Sequence, residues 1–383
     1  MKFYFVILLA KLIKLISKLL NIGSGYTWPG HVVLKLYPDI FKHPKFKFPY
    51  GHIFISGTNG KTTTAKLVTH LLEESGLNVV HNKTGANLLN GIASELALST
   101  TLWGKAPYDV GVFEVDEYAL PHLLKDISPN VLVLLNLSRD QLDRYGEVDL
   151  VLERWLASIK ELSSSTEIVL DATQPYFNAV KNNFEGEITY FDDSKDYLGN
   201  TSLVGSFNAR NINASVFVGM LLGFSEDELL KSLKDFTYAY GRGETIDYKG
   251  KAVKVLLAKN PASFNTNLDC FVSKEIEGDS ILFILNDNIP DGRDVSWIYD
   301  IDQELLKESC RDKKIFVTGT RYLDMAIRLH YAGVEVPEEN INSSLNILLT
   351  KITNDNSLNS LIALPNYSAM LSLRKKLSGK AIL

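Results

Sequence analysis

The sequence predicts an α/β protein in which a parallel sheet with crossover helices is followed by a second, separate α/β unit. Three observations carry that prediction. Short apolar, β-branched runs alternate with stretches of helical periodicity from about residue 52 onward, the pattern of βαβ crossovers. The alternation pauses at Gly241-Arg242-Gly243-Glu244, read as a break, and restarts beyond about residue 247. At 383 residues the chain is also too long for one core and asks for two or three domains. The division that follows is an arm over 1–50, a central unit over 51–246 and a C-terminal unit over 247–383.

The arm stands apart in charge. Residues 1–50 hold eight lysines against Asp39 alone, so with a net charge of −5 the rest of the chain carries twelve more acids than bases. Residues 3–20 are apolar except for Lys11, Lys14, Ser17 and Lys18, and lysines at i, i+3 and i+7 fall on one side of a helix. The uncharged run 3–10 is too short to span a bilayer, and lysines follow it where a signal peptide would want a cleavage site. Two readings remain. The helix packs on the body with its lysines in water, the commoner fate, or it lies on an anionic membrane face. Asn21-Ile22-Gly23-Ser24-Gly25 and Trp28-Pro29-Gly30 read as a turn-rich connector.

In the body, strands are expected at 53–56, 78–80, 109–115 and 130–137, each apolar enough for a buried parallel sheet, with shorter ones at 167–172 and 187–192. A helix is expected over 205–222. The second unit then reads as strand 252–258, a helix after Pro261, strands 280–285 and 314–318, helix 322–332, strand 360–364 and a helix from Tyr367. Cys270 and Cys310 are far apart and in no metal-binding spacing, so each is a small core residue.

The chemistry begins at the first strand. Gly57-Thr58-Asn59-Gly60-Lys61-Thr62-Thr63 follows an apolar run and opens a helical one. Such a loop turns backbone N–H groups toward an anion at a helix N-terminus, with Lys61 in reach of β/γ-phosphates and the Thr62 hydroxyl in reach of Mg²⁺. Ile55 stands where the strict Walker spacing has its first glycine, so this is a shorter form of the loop. Glu114-Val115-Asp116-Glu117 ends a strand beside it; Glu114 is the chosen metal ligand, and Asp116 and Glu117 are as readily an acidic turn. The stretch Asn136-Leu137-Ser138-Arg139-Asp140-Gln141-Leu142-Asp143-Arg144-Tyr145-Gly146 is dense in groups that bind metal or phosphate. Asn208 and Asn211, at i and i+3 of a helix start, either cap it or meet the nucleotide.

Those motifs, in that order, resemble the Mur ligases and folylpolyglutamate synthases, and with Arg242 in a G-R-x-E element the order is complete. More closely, Lys259-Asn260-Pro261-Ala262, Asp291-Gly292-Arg293-Asp294-Val295-Ser296-Trp297 and Asp324-Met325-Ala326-Ile327-Arg328-Leu329 resemble the MurT family over about residues 23–377. The resemblance implies a Mur-ligase-like central domain, a Rossmann-like C-terminal domain, and ATP with Mg²⁺ as cofactors. It implies an ATP-dependent subunit of lipid II isoglutaminyl synthase that amidates a lipid-linked muropeptide with ammonia from a GatD-like glutaminase partner. It puts Gly57, Thr58, Asn59, Gly60, Lys61, Thr62, Thr63, Asn208 and Arg242 at the nucleotide and Thr62 and Glu114 at the metal. Asp294 would face the partner's Cys-His pair, with Asp291 and Asp300 as alternatives.

Two departures from family patterns set further expectations. Many MurT sequences carry a four-cysteine zinc ribbon, whereas the interval from Tyr190 to Gly205 has no cysteine, so no zinc is expected. Gln141 stands where amino-acid-adding Mur ligases have a metal-binding histidine. A cytoplasmic enzyme with no nucleic-acid partner is expected, its arm within reach of the inner membrane face. A free-standing ligase that adds an amino acid to a peptide carboxylate is the alternative.

Overall fold

The structure is a computed structural model, and it describes residues 1–20, 27–83, 85–138, 148–192, 194–201, 203, 205–236 and 241–379. Two sheets organise it. The first has the order β2-β3-β1-β4-β5-β6, with β1 (His52–Ser56), β2 (Val79–His81), β3 (Val110–Glu114), β4 (Val131–Leu134), β5 (Glu167–Asp171) and β6 (Ile188–Phe191). Every pairing in it is parallel. β1, β3 and β4 are buried throughout, which is why they read as unbroken apolar runs rather than alternating ones.

Helices cover both faces of this sheet. They are α3 (Lys61–Glu74), α4 (Leu89–Ser99), α5 (Leu120–Leu124), α6 (Val148–Ile159), α7 (Asn178–Lys181), α8 (Ser206–Leu221) and α9 (Glu226–Ser232), after α1 (Lys2–Leu19) and α2 (Trp28–Leu36) in the arm. The central strand β1 lies where the order reverses, between β3 and β4, so ligand is expected at its carboxyl end.

The second sheet has the order β10-β9-β11-β8-β7, with β7 (Arg242–Tyr248), β8 (Lys251–Leu256), β9 (Ser280–Ile284), β10 (Lys314–Thr318) and β11 (Ser360–Pro365). Its pairings are parallel except for the β7–β8 hairpin at the edge. Its helices are α10 (Pro261–Val272), α11 (Gln303–Ser309), α12 (Tyr322–Tyr331), α13 (Leu345–Asn354) and α14 (Tyr367–Ser378).

Two expectations need correction. Trp28-Pro29-Gly30 is not a turn but the first turn of α2. Pro29 sits where a helix needs no N–H donor, and a Cβ on Gly30 would stand 1.7 Å from the Asn90 carbonyl oxygen. The glycine is there because α2 and α4 touch backbone to backbone. The other correction is Gly241-Arg242-Gly243-Glu244, which starts β7 instead of interrupting the fold. What reads as a break is a register irregularity between Arg242 and Thr245, and Glu244 pairs with Arg374 of α14 at 2.6 Å.

The arm packs on the body. Phe3, Val6, Ile7 and Ala10 are buried in the same cluster as Val33 of α2 and Ile92, Ala93, Leu96 and Ala97 of α4. At about 1.5–3 kcal/mol for each fully buried large side chain, Phe3, Val6 and Ile7 are the helix's main apolar hold on the body. Lys11 does not simply face water, because its Nζ donates to the Leu98 carbonyl oxygen at 2.7 Å, at the C-terminal end of α4.

Candidate active site

β1 delivers the chain into the loop at residues 57–60, and α3 begins at Lys61. Gly60 adopts φ 87°, and a Cβ there would stand 2.4 Å from Asn211 Oδ1; glycine answers both constraints at this turn. The loop is clamped from β4. The Asn59 amide donates to Asn136 Oδ1 at 2.8 Å while Asn136 Nδ2 donates to the Asn59 carbonyl at 3.0 Å. The Ser138 amide donates to Thr58 Oγ1 at 3.0 Å, and that hydroxyl donates to the Ser138 carbonyl at 3.2 Å. These bonds fix the loop's shape from outside and leave its inner face for an anion.

Lys61 lies folded into the site. It is 6% exposed, and its ammonium donates to the Gly57 carbonyl, to the Thr58 carbonyl at 3.3 Å and to Glu117 Oε2 at 2.9 Å. Burial alone would lower its pKa, but Glu117, Glu114 and Asp116 around it outweigh that and hold the ammonium above its ordinary value. Lys61 is therefore a permanent cation here. Glu117 is fixed in turn by its backbone, since Trp155 Nε1 donates to its carbonyl at 2.8 Å.

Glu114 ends β3 with both carboxylate oxygens engaged. Thr62 Oγ1 donates to Oε2 at 2.7 Å and Asn87 Nδ2 to Oε1 at 3.1 Å, while Asn82 brackets the Glu114 backbone at 2.8 and 3.0 Å. A hydroxyl and a carboxylate in contact beside such a loop are donors of the kind that magnesium takes from a protein when phosphate oxygens and water complete its shell. The donor set fits that ion. Among the described residues no group of three or more His, Cys, Asp or Glu forms a metal cage, and magnesium shared with a nucleotide needs none.

Between the two sheets the loop opens into a cavity of about 300 Å³, lined on one side by Asn59, Gly60, Phe191, Phe207 and Asn211 and on the other by Leu257, Lys259 and Ser263. Asn260 Nδ2 donates to Asn59 Oδ1 at 3.3 Å and so ties α10 of the second unit to the phosphate loop. Asn211, not Asn208, lines this cavity. Asn208 stands one step back and is buried, its Oδ1 accepting from Asn211 Nδ2 at 3.3 Å. Arg242 begins β7, and its side chain lies outside the described residues, as do Arg139–Gly146 of the acidic and basic stretch.

The three carboxylates named for the partner differ in their surroundings. Asp291 is buried and accepts from the Ser368 amide at 2.8 Å and from its hydroxyl at the start of α14; burial raises its pKa despite those bonds. Asp294 is exposed, and the hydrogen bond from the Ser296 amide at 2.8 Å holds its carboxyl below the usual range. Asp300 is also exposed.

The residues missed by sequence reasoning are the partners. Glu117 counted as readily as an acidic turn, Asn260 appeared within the Lys259-Asn260-Pro261-Ala262 motif without a role, and Asn82 and Asn87 carried no signal, because amides bracketing a carboxylate have no spacing rule.

Comparison with known proteins bears on the family and the fold. Residues 55–197 match the Mur ligase middle domain family, and residues 257–370 match the MurT ligase C-terminal family. The MurT subunit of lipid II isoglutaminyl synthase (glutamine-hydrolyzing) from Staphylococcus aureus strain COL is 29% identical over 97% of this chain and 96% of its own. The subunit of the same name from Streptococcus pneumoniae is 27% identical over 94% of each chain. In fold, the structure of Mycobacterium tuberculosis folylpolyglutamate synthase complexed with ADP superposes with a TM-score of 0.68 at 15% identity, covering 92% of this chain and 94% of that one. Two family matches in tandem and relatives aligned over nearly their whole length place this chain in the MurT family of Mur-ligase-like proteins.

Proposed function

We propose that this chain is the ATP-dependent subunit of a lipid II isoglutaminyl synthase, converting the D-Glu α-carboxylate of a lipid-linked stem peptide to the amide. The observation that carries the reading is the Thr62–Glu114 contact beside buried Lys61, which offers a metal-bound triphosphate a hydroxyl, a carboxylate and a cation in one place.

In this reading the carboxylate attacks the γ-phosphorus of ATP, ADP leaves, and the acyl phosphate is then attacked by ammonia with loss of inorganic phosphate. Lys61 exchanges its Glu117 contact for phosphate oxygens and offsets charge on the transferring group. The amides of Gly60 and the start of α3 orient the phosphates at the helix N-terminus, those of Thr58 and Asn59 being held by Asn136. Mg²⁺, held by Thr62 and Glu114, would supply charge neutralisation at the β- and γ-phosphates. The cavity between the sheets takes the rest of the nucleotide, with Phe191 and Phe207 as apolar walls and Asn211 at its floor, while Asn208 positions Asn211. Arg242 is assigned to the nucleotide on family resemblance.

Ammonia comes from a GatD-like glutaminase. Cys270 and Cys310 are both buried, and burial pushes the Cys310 thiol up to about 12, so neither serves as the nucleophile of a glutaminase. Asp294, exposed on the second unit, is the carboxylate assigned to complete the partner's Cys-His pair. Work on a lipid-linked substrate would place the enzyme at the cytoplasmic membrane face. The test is ATP hydrolysis with free ammonia and a muropeptide. Amidation lowers the peptide mass by about one unit as –OH becomes –NH₂, whereas a larger gain in mass would make the chain an amino-acid ligase.

A further inference from the structure

Helix α1 has two apolar faces, and the body covers only one. Opposite the buried Phe3, Val6, Ile7 and Ala10, the side chains of Phe5, Leu8, Leu12, Leu15, Ile16 and Leu19 are exposed along the whole helix. Their spacing makes a continuous stripe. A second element extends it. The turn at residues 101–105 is closed by bonds from the Thr101 amide to the Lys105 carbonyl at 2.8 Å and from the Gly104 amide to the Thr101 carbonyl at 2.9 Å. It carries Leu102 and Trp103 at its tip, Trp103 being 84% exposed. The turn lies against the start of α1, since a Cβ on Gly104 would stand 2.5 Å from the Tyr4 ring.

Charge decides what this surface meets. Lys11 and Lys18 fall between the stripe and the buried face, Lys11 reaching the Leu98 carbonyl, and Lys14 falls on the buried side, while α1 has no acidic residue at all. Two copies of the chain pairing through α1 would each bring four lysines and no acid to the seam, whereas anionic headgroups would neutralise that charge. A tryptophan at a turn tip beside an apolar, lysine-edged helix is the composition of an interfacial anchor. The helix lies on a bilayer and does not cross it: among the described residues none is long and apolar enough to span a membrane.

We propose that the exposed face of α1, with the Leu102–Trp103 tip, is a docking surface for an anionic lipid bilayer. It extends the reading of a lipid-linked substrate, and α4 gives it a geometric meaning. Asn87, just before α4, holds Glu114, and Lys11 of α1 binds Leu98 near the other end of α4. At 1.5 Å per residue, α4 runs about 16 Å between those two contacts. A stem peptide tethered to lipid spans that distance in about five extended residues.

Flotation of the full chain with vesicles tests this. It should float with phosphatidylcholine vesicles containing phosphatidylglycerol, much less with phosphatidylcholine alone, and less as salt rises. The double variant Leu8→Glu/Leu12→Glu should lose about tenfold or more of the partition, and Lys14→Glu/Lys18→Glu should lose about as much on the anionic vesicles only. Both should keep the wild-type unfolding temperature and amidate a water-soluble muropeptide fragment normally. Absence of flotation, equal flotation of the first variant, or a dimer or glutaminase complex that this variant dissolves would each overturn the docking surface. Intact flotation without any amidation would instead overturn the reaction and leave the surface standing.

Discussion

The carboxyl ends of the two sheets carry the same ingredients, carboxylates beside a cation, and use them in opposite ways. At the first sheet Lys61, Glu114, Asp116 and Glu117 are all buried, and the Lys61–Glu117 pair is about 7% exposed on each side. At the second, Arg321 forks onto Asp324 at 2.8 and 2.9 Å and reaches Asp287 at 3.5 Å, with roughly a third of each side chain in water. Asp294 is exposed nearby. A buried pair is held by mutual need, since removing one partner strands the other, while an exposed fork contributes little to stability. In the proposed reading the closed edge exchanges one internal contact for a ligand, and the open edge meets another protein.

Breaking the closed edge gives the largest effect. Lys61→Ala should reduce ATP turnover by about 10⁴-fold or more while partner binding survives. It should also lower stability by about 3–5 kcal/mol by leaving Glu117 buried without its cation. Lys61→Met/Glu117→Gln separates the two effects, recovering the unfolding temperature but not turnover. A single variant as stable as wild type would contradict the buried pair.

Breaking the open edge should leave the ligase intact. Asp294→Asn is expected to cut glutamine-dependent amidation by about 10³-fold and to leave the rate with free ammonia and the unfolding temperature near wild type. If Asp291→Asn has that phenotype instead, the assignment moves; the structure predicts that Asp291→Asn acts first on stability, through the start of α14. Glu114→Gln should cost about 10²-fold in turnover with a higher Mg²⁺ requirement, measured by metal titration of ATP hydrolysis.

Acid should weaken the central unit through two buried histidines. His52 and His81 are buried, each with a ring nitrogen on a backbone carbonyl oxygen, and burial lowers both from 6.5 to about 4. Their neutral forms belong to the folded state, so their contribution is complete above pH 6.5 and is lost as pH falls toward 4. By pH 5 the loss amounts to about 2 kcal/mol for each. Chemical denaturation at pH 7 and pH 5 reads it directly, and unchanged stability would mean that these rings are not held neutral.

Legibility in the sequence followed burial. Strands such as β1, β3 and β10 show as apolar runs because both faces are covered, and the glycines, Lys61 and Thr62 carry a spacing that few other folds need. β7 was hidden because an edge strand with Arg242, Glu244, Thr245 and Asp247 alternates too weakly to register, and α2 was hidden because Pro29-Gly30 reads as a turn unless a close helix crossing is foreseen. The Lys61–Glu117 pair spans 56 residues, and the Asn59–Asn260 contact spans 201. Contacts of that range are set by the sheet order, which no local pattern contains.

The most direct test of the account follows the mass of a lipid-linked muropeptide incubated with this chain, ATP, Mg²⁺ and free ammonia. The account predicts ATP hydrolysis coupled to a loss of about one mass unit, abolished by Lys61→Ala. ATP hydrolysis with a gain in mass, or an amidated product formed equally well by Lys61→Ala, would contradict it.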